Sequence, residues 1–149
     1  MNAEARRRAS DRNRETVLRS YDDTNRHDLE AIMEYGADDM VVHDLPEEFG
    51  QGKEGMRRFL QTFFQAFPDY HTEVIDLVAE GDLVASHNRI TGTHQGDFLG
   101  VPASGRVVEW EDVDLARFDD DGKVVEYRNF ADMLALMQQM GAIPEDIVG

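Results

Sequence analysis

The chain has no cysteine among its 149 residues. That absence removes disulfide staples, thiolate nucleophiles and cysteine metal sites together, and it agrees with a reducing compartment. Nor does any apolar run approach the roughly 20 residues that span a bilayer. The opening MNAEARRRASDRNR also lacks the apolar stretch of a secretory signal. A cytoplasmic protein without a membrane partner is the expectation. Basic residues are scarce, 15 against 31 acids, for a formal net charge of −16. Such a surface repels phosphate backbones, so nucleic acid is not an expected partner. His43, His87 and His94 are scattered without HxH or HExxH spacing, so neither a metal site nor a cofactor is expected.

What is present suits a folded globule: 41% hydrophobic and 31% charged residues, in a chain of ordinary domain size. No repeat or low-complexity linker divides it, so residues 1–149 are expected to form one domain. Residues 1–10, with Arg6, Arg7 and Arg8 in a row, are expected to be a frayed arm leading into a solvated helix.

Periodicity predicts a helix from near Asp11 through Val17, Leu18 and Tyr21, and a short second one around Leu29, Ile32 and Met33. The run MVVHDL (40–45) predicts a strand. In GKEGMRRFLQTFFQAFPD, Met56, Phe59, Leu60, Phe63, Phe64 and Phe67 recur at spacings of three and four, which predicts a third helix ended by Pro68. The rest is mostly sheet: two strands joined at Glu80-Gly81-Asp82, then two more flanking DDDG (119–122). ADMLALMQQMG predicts a last helix stopped at Gly141. Helices followed by a curved antiparallel sheet make an α+β fold, a cone whose concave face forms a pocket.

Strand parity selects the pocket residues. Along 107–118, Val108, Trp110, Asp112, Asp114, Ala116 and Phe118 share a face, and Glu109, Glu111 and Arg117 belong to the other. Tryptophan and phenylalanine need cover, so the first set is predicted to face inward, with Asp112 beside Trp110 as a possible second acid/base. Tyr21 is a candidate to bring a hydroxyl into the pocket, and His43 to lie near it. His87 shares a face with Arg89 and is kept as a substrate-contact candidate beside a structural role. Phe63, Phe64, Met133 and Met137 suit either core or pocket wall.

Three segments carry a family resemblance: GKEGMRRFLQTFFQAFPD, EGDLVASHNRITGTHQGDFLGVPASGR and DGKVVEYRNFADMLALMQQMG. With Phe67-Pro68-Asp69, Gly92-Thr93-His94-x-Gly96, Gly100-x-Pro102 and a terminal Gln-x-x-Gly in this order, the chain resembles the SnoaL-like polyketide cyclases of the nuclear transport factor 2-like superfamily. The resemblance implies a cone-shaped α+β barrel that assembles as a homodimer or homotetramer. It further implies closure of a ring in a hydrophobic, oxygenated polyketide-like small molecule by intramolecular aldol condensation, without metal or cofactor. In such cyclases an aspartate just before the last helix is the acid/base, a position that Asp132 occupies here. The family often has a tryptophan two residues after a conserved glutamate, where Arg128 follows Glu126, and a histidine near the position of Phe118. Arg128 and Phe118 therefore join the substrate-contact candidates.

Asp132 has two readings. A carboxylate held partly out of water acquires a raised pKa and can take a proton from carbon between two carbonyls. An aspartate at that boundary can equally cap the helix that begins at Met133. Water activation, as in a hydrolase, hydratase or hydroxylase-like member, and a non-catalytic binding or oligomerisation module remain as alternatives. GTHQGDFLGVPASGR (92–106), rich in glycine, is expected to be a shaped crossing between strands, not the seat of the chemistry.

Overall fold

The computed structural model describes residues 1–148; Gly149, the last residue of the expected domain, lies outside them. Helix α1 (Ala3–Asn25) and the short α2 (Leu29–Glu34) lead into strand β1 (Gly36–Val42) and helix α3 (Gly52–Ala66). Strands β2 (His71–Glu80), β3 (Leu83–Thr93), β4 (Val107–Phe118) and β5 (Val124–Ala131) follow, then helix α4 (Met133–Gln139). Single 3-10 turns occupy Glu47–Phe49 and Glu145–Val148. Helices α1, α2 and α4 start where side chains satisfy the free N–H groups of a first turn: Asn2 accepts from Ala5, Asp28 from Ala31 and Asp132 from Ala135.

Helix α1 begins at Ala3, not near Asp11, so residues 1–10 are not the frayed arm expected from their charge. The helix is tied to the β2–β3 turn and, at its C-terminal end, to the start of β2. Ser10 Oγ accepts from the Gly81 N–H at 2.7 Å, and Asn13 donates to the Gly81 carbonyl at 3.0 Å. Asn25 both accepts from and donates to the Thr72 backbone, at 2.8 and 2.9 Å.

The five strands form one sheet in the order β1-β5-β4-β3-β2. Every pairing is antiparallel except β1 with β5, which is parallel and carries a register shift between Gly36 and Val41. That irregular, polar start hides the beginning of β1 from a propensity reading: the strand expected at 40–45 occupies Gly36–Val42, and His43 lies just beyond its end.

Alternation on β4 is as predicted. Val108, Trp110, Asp114, Ala116 and Phe118 are buried and Asp112 is partly buried, while Glu109, Glu111 and Arg117 are exposed. On β3, Val84, Ser86, Asn88, Ile90 and Gly92 turn inward. Two apolar clusters cover this concave face. Ala66, Phe67, Ile90, Phe98, Val108, Trp110, Leu136 and Met140 form one; Val17, Val84, Ala116 and Phe118 form the other. Burial of such side chains is the main favourable term in folding. Between the clusters, at the middle of β4, lie Asp112 and Asp114.

The crossing from β3 to β4 packs against the end of α3. The Gln95 and Gly96 N–H groups donate to the Ala66 carbonyl at 2.9 and 3.0 Å. A Cβ on Gly96 would stand 2.6 Å from the Gln65 carbonyl oxygen, so glycine is needed there for close approach. His94 is fully buried within this crossing, with Nδ1 accepting from the Ser104 N–H at 3.1 Å. Its place supports the structural role expected of the segment.

Candidate active site

Three adjacent strands bring the polar residues of the concave face together through their register. Asn88 of β3 pairs with Asp112 of β4, Ser86 pairs with Asp114, and Asp114 pairs with Asn129 of β5. Asn129 Nδ2 donates to Asp112 Oδ2 at 2.9 Å and to Asp114 Oδ1 at 2.8 Å. Asn88 Nδ2 reaches Asp112 Oδ1 at 2.9 Å. Tyr21, carried by α1, gives its single hydroxyl proton to Asp114 Oδ2 at 2.6 Å, so the 2.5 Å contact with Ser86 Oγ has serine as donor. Tyr127 donates to Asp114 Oδ1.

The two carboxylates are unequally supplied. Asp114 accepts from two phenols and from the amides, whereas Asp112 accepts from the amides alone. Burial raises the pKa of both. For Asp112 the lift reaches about 7, through loss of water first and the Asp114 charge second, opposed by hydrogen bonds from Asn88 and Asn129 and by the charge of His87. For Asp114 burial is again the largest cause, opposed by Tyr127, Tyr21 and Asn129. Two adjacent carboxylates in one low-dielectric site resist double ionisation. The phenols favour the charge on Asp114 and leave Asp112 as the member that exchanges a proton near neutrality. In return, burial and the Asp114 carboxylate push the Tyr21 phenol well up, and Tyr127 rises chiefly through burial.

This group opens on a cavity of about 590 Å³, within the range of small-molecule sites. Asp112, Asp114, Tyr21, Tyr127, Asn129 and Ser86 form its polar side; Met33, Met40, Met56, Phe59, Leu60 and Phe63 are among its apolar walls. Among the described residues lining it there is no lysine or arginine, which leaves the acid pair without a cationic partner in the cavity.

The SnoaL-like polyketide cyclase model matches residues 15–140. The chain belongs to the SnoaL-like polyketide cyclase family. Among solved structures it is similar to AclR of Streptomyces galilaeus, assigned provisionally as a hydroxylase. The identity is 33% over 91% of this chain and 99% of that one, with a TM-score of 0.81. It is also similar to a provisionally assigned SnoaL-like polyketide cyclase from Jannaschia sp. CCS1, at 33% identity over 91% and 96% and a TM-score of 0.79. Aklanonic acid methyl ester cyclase DnrD of Streptomyces peucetius is 34% identical over 71 residues, 48% of each chain. The match thus spans about half the length of this curated relative.

Within this family fold the candidates separate. Asp112, Tyr21, His43, Trp110 and Phe118 all line the cavity, His43 at its rim with Nε2 3.0 Å from Glu126 Oε2. Asp132 is exposed and does not line it; its carboxylate accepts the Ala135 N–H at 3.1 Å, the contact that the capping reading expects. His87 is on the convex face between Asp76 and Glu111, because strand parity sets it opposite to Ser86 and Asn88. Arg128 lies on that face too, 4.0 Å from Asp44, since its neighbours Tyr127 and Asn129 point inward. Phe64 stacks on His27 at 4.2 Å between ring centroids and leaves the cavity wall to Phe63.

Sequence reasoning does not select five site residues: Asp114, Ser86, Asn88, Tyr127 and Asn129. Asp114 belongs to the predicted inner face of β4. The same two-residue alternation, applied to β3 and β5, puts the other four on that face.

Proposed function

We propose that this chain is an acid/base cyclase that closes a ring in a hydrophobic, oxygenated polyketide-type molecule, with Asp112 as the base. The observation that carries the reading is the buried Asp112–Asp114 pair on the cavity wall, in which Asp114 alone accepts from two phenols and burial lifts Asp112 to about 7. Asp112 takes the proton from a carbon flanked by two carbonyls, and the C–H electron pair becomes an enolate. The enolate carbon bonds to a second carbonyl carbon of the same molecule, whose oxygen becomes an alkoxide and recovers a proton from Asp112. Atoms balance, so the product is an isomer of the substrate. The base supplies roughly 10²–10⁴-fold of the acceleration, and the walls supply the folded conformation of the chain. A cytoplasmic, homo-oligomeric enzyme completes the proposal; Val107 and Phe130, exposed at 78% and 55%, offer apolar surface for the assembly.

Water activation is the second reading, favoured by the likeness to AclR. Incubation with aklanonic acid methyl ester in ¹⁸O-labelled water separates the two. Cyclisation predicts a product of unchanged mass without label, and an Asp112→Asn variant at least about 100-fold slower. Incorporation of label that solvent exchange of the substrate's carbonyls does not match, or full turnover by the folded variant, overturns the proposal.

A further inference from the structure

Asn88 is fully buried at the middle of β3 and does not line the cavity, so it acts on a substrate only through its neighbours. Its amide is lopsided. Nδ2 lies within reach of three oxygens, Asp112 Oδ1 at 2.9 Å, Tyr21 Oη at 3.1 Å and Asp114 Oδ2 at 3.4 Å. Oδ1 is buried and has no donor among the described residues. A buried carbonyl without a donor is costly. The arrangement suits an Asp112 Oδ1 that accepts. Once Asp112 carries a proton on Oδ1, it becomes a donor facing the donors of Nδ2, and a half-turn of the amide brings the unpartnered oxygen to the acid.

We infer that Asn88 is a positioning residue for Asp112 that works in two orientations, nitrogen toward the carboxylate and oxygen toward the carboxylic acid. The device gives each protonation state of the base a matching partner out of reach of substrate and solvent. Besides Asp114 on the same strand, the titratable groups that face or sense Asp112 are Tyr21 of α1, Tyr127 of β5, Tyr70 before β2 and His87 of β3. None of these is a carboxamide; the other amide at Asp112, Asn129, is held by its nitrogen between Asp112 and Asp114, at 2.9 and 2.8 Å. The inference rests on Asp112 being the proton-exchanging member, and its test needs no substrate, so its failure leaves the cyclase reading to be judged by turnover.

The test is NMR on the intact protein from pH 5 to pH 9, following the Asp112 carboxyl carbon and the Asn88 side-chain amide. Above the Asp112 midpoint, Nδ2 protons should show contacts to the Tyr21 ring, and below it those contacts should vanish. In Asn88→Leu, similar in size but unable to donate, the Asp112 midpoint should rise by about one pH unit as the charged form loses its donor. Contacts to Tyr21 that persist unchanged through the Asp112 titration overturn the inference. So does a midpoint unmoved in the folded leucine variant. If that variant does not fold, the wild-type amide contacts decide alone.

Discussion

Exchange of Asp112 for asparagine should stabilise the protein above neutral pH while abolishing turnover. Burial and the neighbouring Asp114 lift the Asp112 carboxyl from 3.8 to about 7. An acid whose native pKa stands above its unfolded value binds more protons folded than unfolded, so stability falls as pH rises between the two values. At about 1.4 kcal/mol per pH unit, the penalty is on the order of 4 kcal/mol once pH 8 is reached. Asparagine carries no charge and escapes it. Against that, one of the two flanking amide nitrogens then meets an N–H where it met an oxygen, which takes back about 1–3 kcal/mol. The net gain is about 2 kcal/mol at pH 8, or a rise in Tm of about 4–8 °C for a chain of this size. At pH 5 less than about half of the penalty has accumulated, and the advantage shrinks toward nothing. Urea and thermal melts of both proteins at pH 5, 6, 7 and 8 measure this. A difference that is the same at every pH, or a variant less stable than the parent at pH 8, refutes the account of the acid pair.

Two further substitutions test the placement of residues. Asp132→Ala removes the cap of α4, whose Ala135 N–H loses its acceptor at 3.1 Å; it should cost about 1 kcal/mol in chemical denaturation and leave kcat within about twofold of the parent. A drop of a hundredfold would return Asp132 to the chemistry. Gly96→Ala drives a Cβ against the Gln65 carbonyl oxygen, 2.6 Å away on rigid helical backbone; a loss of about 1–3 kcal/mol is expected, and an unchanged Tm would show that the crossing is looser than it looks.

Much of the arrangement was legible, and the limits have physical reasons. Two-residue alternation is a local property, so it assigned the inner face of β4, Asp112, Trp110 and Phe118 included, from composition alone. Extended to β3 and β5, it distinguishes Asn88 from His87 and Asn129 from Arg128. Register is not local. That Asn88 pairs with Asp112 depends on how β3 and β4, separated by the long 94–106 connection, settle against one another, and the pairing of Asp114 with Asn129 follows a register shift between Arg117 and Phe118. The clustering of arginines hid the start of α1 because charge pattern does not report the tethers Ser10 and Asn13 make to Gly81. At Asp132 the sequence is ambiguous for a different reason: a helix boundary favours aspartate whatever the enzyme does.

The cavity is assembled from two kinds of part. Proton-handling groups sit mainly on the three inner strands, where the sheet's hydrogen bonds fix their spacing, while Met33, Met56, Phe59 and Leu60 come from α2 and α3. Reshaping those helices alters the volume offered to a molecule without disturbing the carboxylate pair. Selection can thus change which substrate is accepted and keep the same proton chemistry, a separability that a site built wholly on loops would lack.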